Sequence, residues 1–197
     1  MAPYHGDVVI DIGTGDGRFV CEMAQQQPEK FYIGIDANTC ALEKISEKIH
    51  RKPAKGGLPN ALFLQAAAED LPAELAGLAQ EVHVQFPWGS LLSGVLTGEE
   101  RVLNNLHRLC APGASLQIIT GLDPERDHAE FERLGLPVLS NEYLATVLAP
   151  RYCAAGFCDL KKRMLPPAAW ADLASSWAKR LRNNPARDLV CLTARIA

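Results

Sequence analysis

Two hydrophobic periods alternate along this chain. Short apolar runs at 8–12 (Val-Val-Ile-Asp-Ile), 31–36 (Phe-Tyr-Ile-Gly-Ile-Asp), 61–65 (Ala-Leu-Phe-Leu-Gln), 81–86 and 114–120 read as strands bounded by turn-forming residues. Helical spacing fills the gaps: 18–27 stopped by Pro28, 41–52 ended by Pro53, 99–109 ended by Ala-Pro-Gly, and 141–155. Further strands are predicted at 158–164 and 188–195. Strands separated by helices predict an α/β, Rossmann-like fold: a seven-stranded, mainly parallel sheet with helices on both faces. The polar, acidic stretch 121–140 is long for a β–α connection, which marks it as functional or mobile.

Length and composition narrow the class. A chain of 197 residues fits a single domain, with 121–140 as an extended connection. No apolar run approaches the ~20 residues that span a bilayer, and Met-Ala-Pro-Tyr-His-Gly-Asp at the amino terminus lacks the basic and apolar parts of a signal segment. A cytoplasmic location is therefore expected. The six cysteines contain no C-x-x-C pair and are expected to be reduced and mostly buried. The five histidines do not cluster with them, so no metal site is expected.

The first strand runs into Asp11-Ile-Gly-Thr-Gly-Asp-Gly17 and then into a helix. Strand, glycine turn and helix make a cradle for a nucleotide-type cofactor. The dinucleotide fingerprint needs a third glycine after Gly13 and Gly15, where this chain has Arg18. Asp11 and Asp16 flank the turn. Carboxylates repel a pyrophosphate but attract a ligand with an ammonium and a sulfonium. S-adenosylmethionine meets that description and NAD does not. Asp36 closes the second strand, about 20 residues on, where an acidic residue accepts hydrogen bonds from ribose hydroxyls. Ala66-Ala-Ala-Glu69 follows the third strand at the adenine position. There Ala68 permits close approach and Glu69 or a backbone amide reads the base edge; tight helix packing is the competing reading of the alanines.

Phe86-Pro-Trp-Gly89 closes the fourth strand, opposite the reactive end of such a cofactor. An aromatic platform with no polar residue directly before the proline suits a ring nitrogen with a free lone pair, such as adenine N1. That atom takes a methyl without a general base, so alignment and a dry pocket supply the catalysis. Trp177 stands in Ser175-Ser-Trp-Ala-Lys-Arg180, an aromatic beside cations, which fits a ring stacked on a base whose phosphates are held nearby. For Trp88 and Trp177 alike, an ordinary core indole is the competing reading. Trp170 has no basic neighbours and is assigned to packing.

Net charge is −3, but the bases are segregated. Leu42, Ile45 and Ile49 form a buried helical stripe, while Lys44, Lys48, Arg51, Lys52 and Lys55 lie along another face that continues into a Gly-Gly loop expected to be flexible. A solvated face and a phosphate-docking face both fit this pattern.

These residues resemble the aminoglycoside-resistance 16S rRNA methyltransferases of the kanamycin–apramycin (KamB/NpmA) type. The shared runs are Asp11-Ile-Gly-Thr-Gly-Asp-Gly-Arg18, Lys52-Pro-Ala-Lys-Gly-Gly-Leu-Pro-Asn60, Ala68-Glu69, Phe86-Pro-Trp-Gly-Ser-Leu-Leu92 and Ser175-Ser-Trp-Ala-Lys-Arg-Leu181. The resemblance implies a class I S-adenosylmethionine-dependent enzyme acting on N1 of adenine 1408 in the 30S subunit. It implies Asp11, Gly13, Gly15, Asp36, Ala68 and Glu69 at the cofactor, and Trp88, Trp177 and Ser175 at a flipped adenine. It implies Lys48, Arg51, Lys52, Lys55, Arg133, Arg180 and Arg187 on rRNA phosphates; recognition of a large RNA surface by one domain suggests a monomer. The family usually carries an amino-terminal β-hairpin, and only ten residues precede Asp11 here, so either weaker cofactor affinity or a truncated chain is expected. The segment 121–137 matches the family poorly.

Two other functions compete. A tRNA guanine-N7 methyltransferase also carries Pro-Trp near strand 4, but with lysine and histidine where Gly89-Ser-Leu-Leu92 stands here. A non-catalytic S-adenosylmethionine- or RNA-binding module is the alternative of a different class.

Overall fold

The computed structural model describes residues 6–121, 123–165 and 189–196. Seven strands form one sheet in the order β3-β2-β1-β4-β5-β7-β6. They are β1 (Val8–Ile12), β2 (Phe31–Asp36), β3 (Ala61–Gln65), β4 (Ala79–Gln85), β5 (Cys110–Thr120), β6 (Phe157–Leu165) and β7 (Leu189–Ile196). The pairings from β3 across to β5 are parallel, and β7 is antiparallel to both β5 and β6. Strand order reverses direction between β1 and β4, where an open α/β sheet leaves a crevice at its carboxyl edge.

Alternation along β1 and β2 sorts the two cores. Val9 and Tyr32 face α1 (Arg18–Gln26) and α2 (Thr39–Ile49), packing with Val20, Leu42, Ile49 and Phe63. Ile10, Ile12, Ile33 and Ile35 face the other way, against α3 (Gly89–Thr97), α4 (Glu100–Leu109) and the segment 141–154. Both faces of the central strands are buried, which is why they read as near-continuous apolar runs.

The structure corrects several expectations. Helix α2 spans 39–49, with Asn38 Oδ1 accepting from the Cys40 N–H at its start. Residues Pro53–Lys55 form a separate 3-10 turn. The Gly-Gly stretch after it, expected to be flexible, folds back on α2: the Leu58 N–H donates to the Ile49 carbonyl at 2.9 Å. A Cβ at Gly57 would sit 1.7 Å from the Arg51 carbonyl oxygen, so only glycine fits there. Helix α3 was not foreseen, because Gly, Ser and Leu in succession show no amphipathic contrast in an element buried on several sides. The 121–140 connection contains a helix, α5 (His128–Leu134).

Strands β4 and β5 begin earlier than the apolar runs suggest, pairing Ala79 with Cys110 before a bulge resets the register to Glu81 with Ser115. The expected helix at 141–155 is broken into α6 (Asn141–Tyr143), a π turn (Leu144–Leu148) and α7 (Ala149–Ala154). Pro150 has no N–H with which to continue the ordinary ladder. Of the six thiols, Cys21 and Cys191 are buried, Cys110 is partly buried, and Cys40, Cys153 and Cys158 are exposed, so the thiols are not mostly buried. No described helix is long and apolar enough to cross a membrane.

Candidate functional site

A hollow of about 460 Å³ opens at the β1/β4 switch point, lined among others by Asp11, Gly13, Thr14, Gly15, Asp36, Ala66, Ala68, Glu69, Gln85 and Trp88. Its volume lies in the range of small-ligand sites. The glycine turn forms its floor. Gly13, Gly15 and Gly17 have φ of 75°, 58° and 68°, a region costly for residues with a Cβ. A Cβ on Gly13 would lie 2.8 Å from Leu91, whereas one on Gly15 would meet nothing within 4 Å. Gly15 thus borders open space. The Gly13 and Thr14 N–H groups donate to the Ile35 carbonyl at 2.8 and 3.0 Å, hanging the turn from β2.

Asp36 is partly committed to the protein. Its Oδ2 accepts from the Gly15 N–H at 2.8 Å and its Oδ1 from the Asn38 N–H at 2.8 Å. Each carboxylate oxygen has a second lone pair, so the group can still accept from a ligand hydroxyl.

The loop after β3 is held from behind by three side chains of α4, a feature the sequence reading missed. Asn105 Nδ2 donates to the Ala68 carbonyl at 3.0 Å, Arg101 Nε to the Glu69 carbonyl at 3.0 Å, and Arg108 to the Leu71 carbonyl at 2.6 Å. Positions 101, 105 and 108 share one helical face. The clamp keeps Ala68 buried and leaves the partly buried Glu69 on the lining. Only the i, i+4, i+7 spacing hints at it, and it does not reveal which carbonyls are met.

At the other wall, Phe86 adopts φ 50°, rare for a residue with a side chain, and its N–H donates to the Ile119 carbonyl at 2.7 Å. That kink turns Pro87 and Trp88 across the mouth. Trp88 is 55% exposed, so it is not a core indole. Gln85 was also missed: it shares a face with His83 by strand alternation, lines the hollow and is 9% exposed.

Burial pushes the Asp11 carboxyl up to about 7, and nearby Asp36 adds to the rise. The Thr14 hydroxyl and His83 oppose it by favouring the ionised form, although Thr14 falls outside hydrogen-bond geometry. Asp11 Oδ1, Thr14 Oγ1 and Gln85 Oε1 are buried without a partner among the described residues. Buried polar atoms are rarely left so, and around a hollow they suit a ligand rich in donors and positive charge. The residues present therefore fit S-adenosylmethionine.

Lys48, Arg51, Lys52 and Lys55 are all exposed, and none forms an ion pair with a described residue. Arg133 is exposed on α5 but is paired with Glu130, its Nε 2.9 Å from Oε2. Ser175, Trp177, Arg180 and Arg187, with Trp170, lie outside the described residues.

Sheet order, glycine turn and the acidic groups at the switch point define a class I S-adenosylmethionine-dependent methyltransferase fold. The model of the family described as NpmA, 16S rRNA (adenine(1408)-N(1))-methyltransferase, matches residues 1–196, and this chain belongs to that family. It is 41% identical to the 16S rRNA (adenine(1408)-N(1))-methyltransferase of Streptoalloteichus tenebrarius, over 98% of this chain and 89% of that one. Among solved structures it is similar to the aminoglycoside resistance methyltransferase NpmB1, at TM-score 0.86 and 46% identity over 100% of this chain and 89% of that one. It is likewise similar to a W203A mutant of the Catenulisporales acidiphilia 16S rRNA (adenine(1408)-N(1))-methyltransferase crystallised with cosubstrate SAM, at TM-score 0.87 and 35% identity, covering 97% and 86% of the two chains. The competing tRNA reading is distant: a tRNA (guanine-N(7)-)-methyltransferase from Rubrobacter xylanophilus is 25% identical over 56% of this chain.

Proposed function

We propose that this chain transfers a methyl group from S-adenosylmethionine to N1 of adenine 1408 in 16S rRNA, and that the mark confers aminoglycoside resistance. The observation that carries this reading is the hollow at the switch point, walled by buried acid on one side and the exposed Trp88 on the other, in a chain of this family. The 197 residues act as one methyltransferase domain, as a monomer in the cytoplasm, on the assembled 30S subunit.

Asp11, Gly13, Gly15, Asp36, Ala68 and Glu69 hold the cofactor. Asp11 faces its positive groups, Asp36 takes the ribose hydroxyls, and the clamped 68–69 loop reads the adenine edge. Bound there, S-adenosylmethionine supplies a methyl group activated by a sulfonium. Trp88, with Trp177, stacks on the extruded target base and excludes water; each base–aromatic stack contributes roughly 1–3 kcal/mol. Ser175 lies close to that base. No side chain is needed to remove a proton, because N1 of adenine presents a lone pair and its methylation leaves a cationic ring. Lys48, Arg51, Lys52 and Lys55, with Arg133, Arg180 and Arg187, dock on rRNA phosphates. The paired Arg133 must leave Glu130 to do so. A methylated, cationic N1 cannot accept a hydrogen bond from a polycationic aminoglycoside and repels it.

The test is to incubate purified protein with tritiated S-adenosylmethionine and 30S subunits, free 16S rRNA or tRNA, then map the label by reverse transcription. Label on 30S subunits with a stop at adenine 1408 supports the reading. Label confined to tRNA or to small molecules overturns it.

A further inference from the structure

Behind the glycine turn a row of polar side chains crosses the α1 face of the sheet, and apart from Asp11 the proposed methyl transfer does not use it. Parallel pairing sets Val9 opposite Glu81 and Asp11 opposite His83, so Glu81, His83 and Asp11 project from the same face of two adjacent strands. His83 Nε2 lies 3.2 Å from Glu81 Oε2, and Lys30 Nζ lies 2.7 Å from Glu81 Oε1 at the outer end. Phe19 of α1 covers the imidazole, ring centroids 5.1 Å apart.

Two atoms of this row are orphans. His83 Nδ1 and Asp11 Oδ1 are both buried with no hydrogen-bond partner among the described residues. They belong to side chains facing each other across one strand spacing, ~4.8 Å between backbones, a gap closed by a direct contact or by one bridging water. An unpartnered carboxyl oxygen and an unpartnered ring nitrogen on register partners are suited to one hydrogen bond between them.

We infer that His83 is a positioning residue for cofactor binding, with its Nδ1–H bridging to Asp11 Oδ1 while Glu81 and Lys30 anchor the ring from behind. This rests on the reading that Asp11 faces the positive groups of S-adenosylmethionine. The bridge holds the Asp11 carboxyl in place at the wall of the hollow, and His83 acts against the rise that burial imposes on it. Glu81 is itself held down to about 2, first by its bond to His83 and then by Lys30.

Other charges reach this row and belong in the same account. Asp36 acts on Asp11 from β2. Asp159 and Lys161 of β6 and Arg195 of β7 line the outer end of the groove beside His83, where β5 presents the uncharged Ser115 and Gln117. Helix α1 carries Arg18 and Glu22 near Phe19. His83 has two register partners, Asp11 on β1 and Gln117 on β5, and of the two only Asp11 is ionisable.

The experiment compares wild-type protein with His83→Phe, His83→Gln and Asp11→Asn. Two quantities are read across pH 5–9. The first is the titration midpoint of the Asp11 carboxyl, by carbon NMR on ligand-free protein. The second is S-adenosylmethionine affinity, by calorimetry. Expected in His83→Phe is a higher Asp11 midpoint, with affinity at pH 7 lowered about fivefold by the smaller ionised fraction and recovered at pH 9. His83→Gln keeps a donor but no charge and falls between the two. An unchanged Asp11 midpoint in a folded His83→Phe, or affinity lost equally at every pH, overturns the bridge and reduces His83 to packing. Should His83→Phe fail to fold, the His83→Gln midpoint decides alone. If Asp11→Asn binds S-adenosylmethionine as wild type does, the reading of Asp11 itself fails, independently of whether its midpoint depends on His83.

Discussion

The Gly15 N–H donates to Asp36 Oδ2 at 2.8 Å, so the carboxylate that closes β2 also holds the glycine turn of β1 in place. Its other oxygen fixes Asn38, the cap of α2. Replacing Asp36 therefore does more than remove a ribose contact. Asp36→Ala is expected to lower S-adenosylmethionine affinity by about 2 kcal/mol or more, since two backbone donors lose a charged acceptor. It should also lower the melting temperature of ligand-free protein. Asp36→Asn keeps one acceptor oxygen and should lose less. Calorimetry and thermal melts check both, and an Asp36→Ala protein that binds as wild type does would remove Asp36 from the site.

Trp88 separates cofactor binding from base capture. It is exposed, and it stands where the Phe86 kink turns the chain across the mouth. Trp88→Ala should leave S-adenosylmethionine affinity within about twofold, while methylation of 30S subunits falls by roughly 10- to 100-fold, the worth of one base–aromatic stack. A matching loss in cofactor affinity would place the indole at the cofactor instead.

Asn105 does not itself line the hollow, yet its Nδ2 holds the Ala68 carbonyl. Asn105→Ala is expected to weaken S-adenosylmethionine binding by about 1 kcal/mol, the usual net worth of such a bond, through a looser 68–69 loop. Adenosine alone should lose the same amount, because the loop faces the adenine end. Equal affinity of wild type and Asn105→Ala for both ligands would show that the clamp stabilises the fold without shaping the site.

Asp11 makes the pH dependence of stability run opposite to that of an ordinary surface carboxylate. Its folded value is about 7 against 3.8 in the open chain, so between those limits the folded state keeps a proton that the unfolded state has lost. Stability should fall as pH rises through that window. Glu81 acts in the reverse sense, its value lowered from 4.5 to about 2, and it costs stability as pH drops below about 4.5. Asp11→Asn should therefore melt higher than wild type at pH 8 and bind S-adenosylmethionine more weakly. Parallel melting curves for the two proteins from pH 4 to 8 would contradict the burial of this charge.

Much of the site is legible in local sequence because local geometry makes it. The strand, the three glycines at positive φ and the following helix occupy nineteen consecutive positions, and Asp36 ends the next strand. Periodicity alone places these elements, since alternation decides which side chains reach each face of a strand. The Pro-Trp step is visible as chemistry for the same reason: the residues that build the platform are neighbours in the chain. Helix α3 escaped because an element buried nearly all round carries no contrast between apolar and polar faces.

What only the folded chain decides are pairings between distant elements. Asn105 finds the Ala68 carbonyl across 37 positions, and Arg101 finds that of Glu69 across 32. His83 stands beside Asp11 because β4, fourth in sequence, is inserted next to β1 with one particular register. Strand order and register arise from packing the whole core, so a one-residue slip would send His83 to the opposite face. The sequence by itself determined the parts of a cofactor cradle and an aromatic acceptor platform. Tertiary structure decided which distant side chains hold them, because hydrogen bonds between elements depend on positions that no local pattern records.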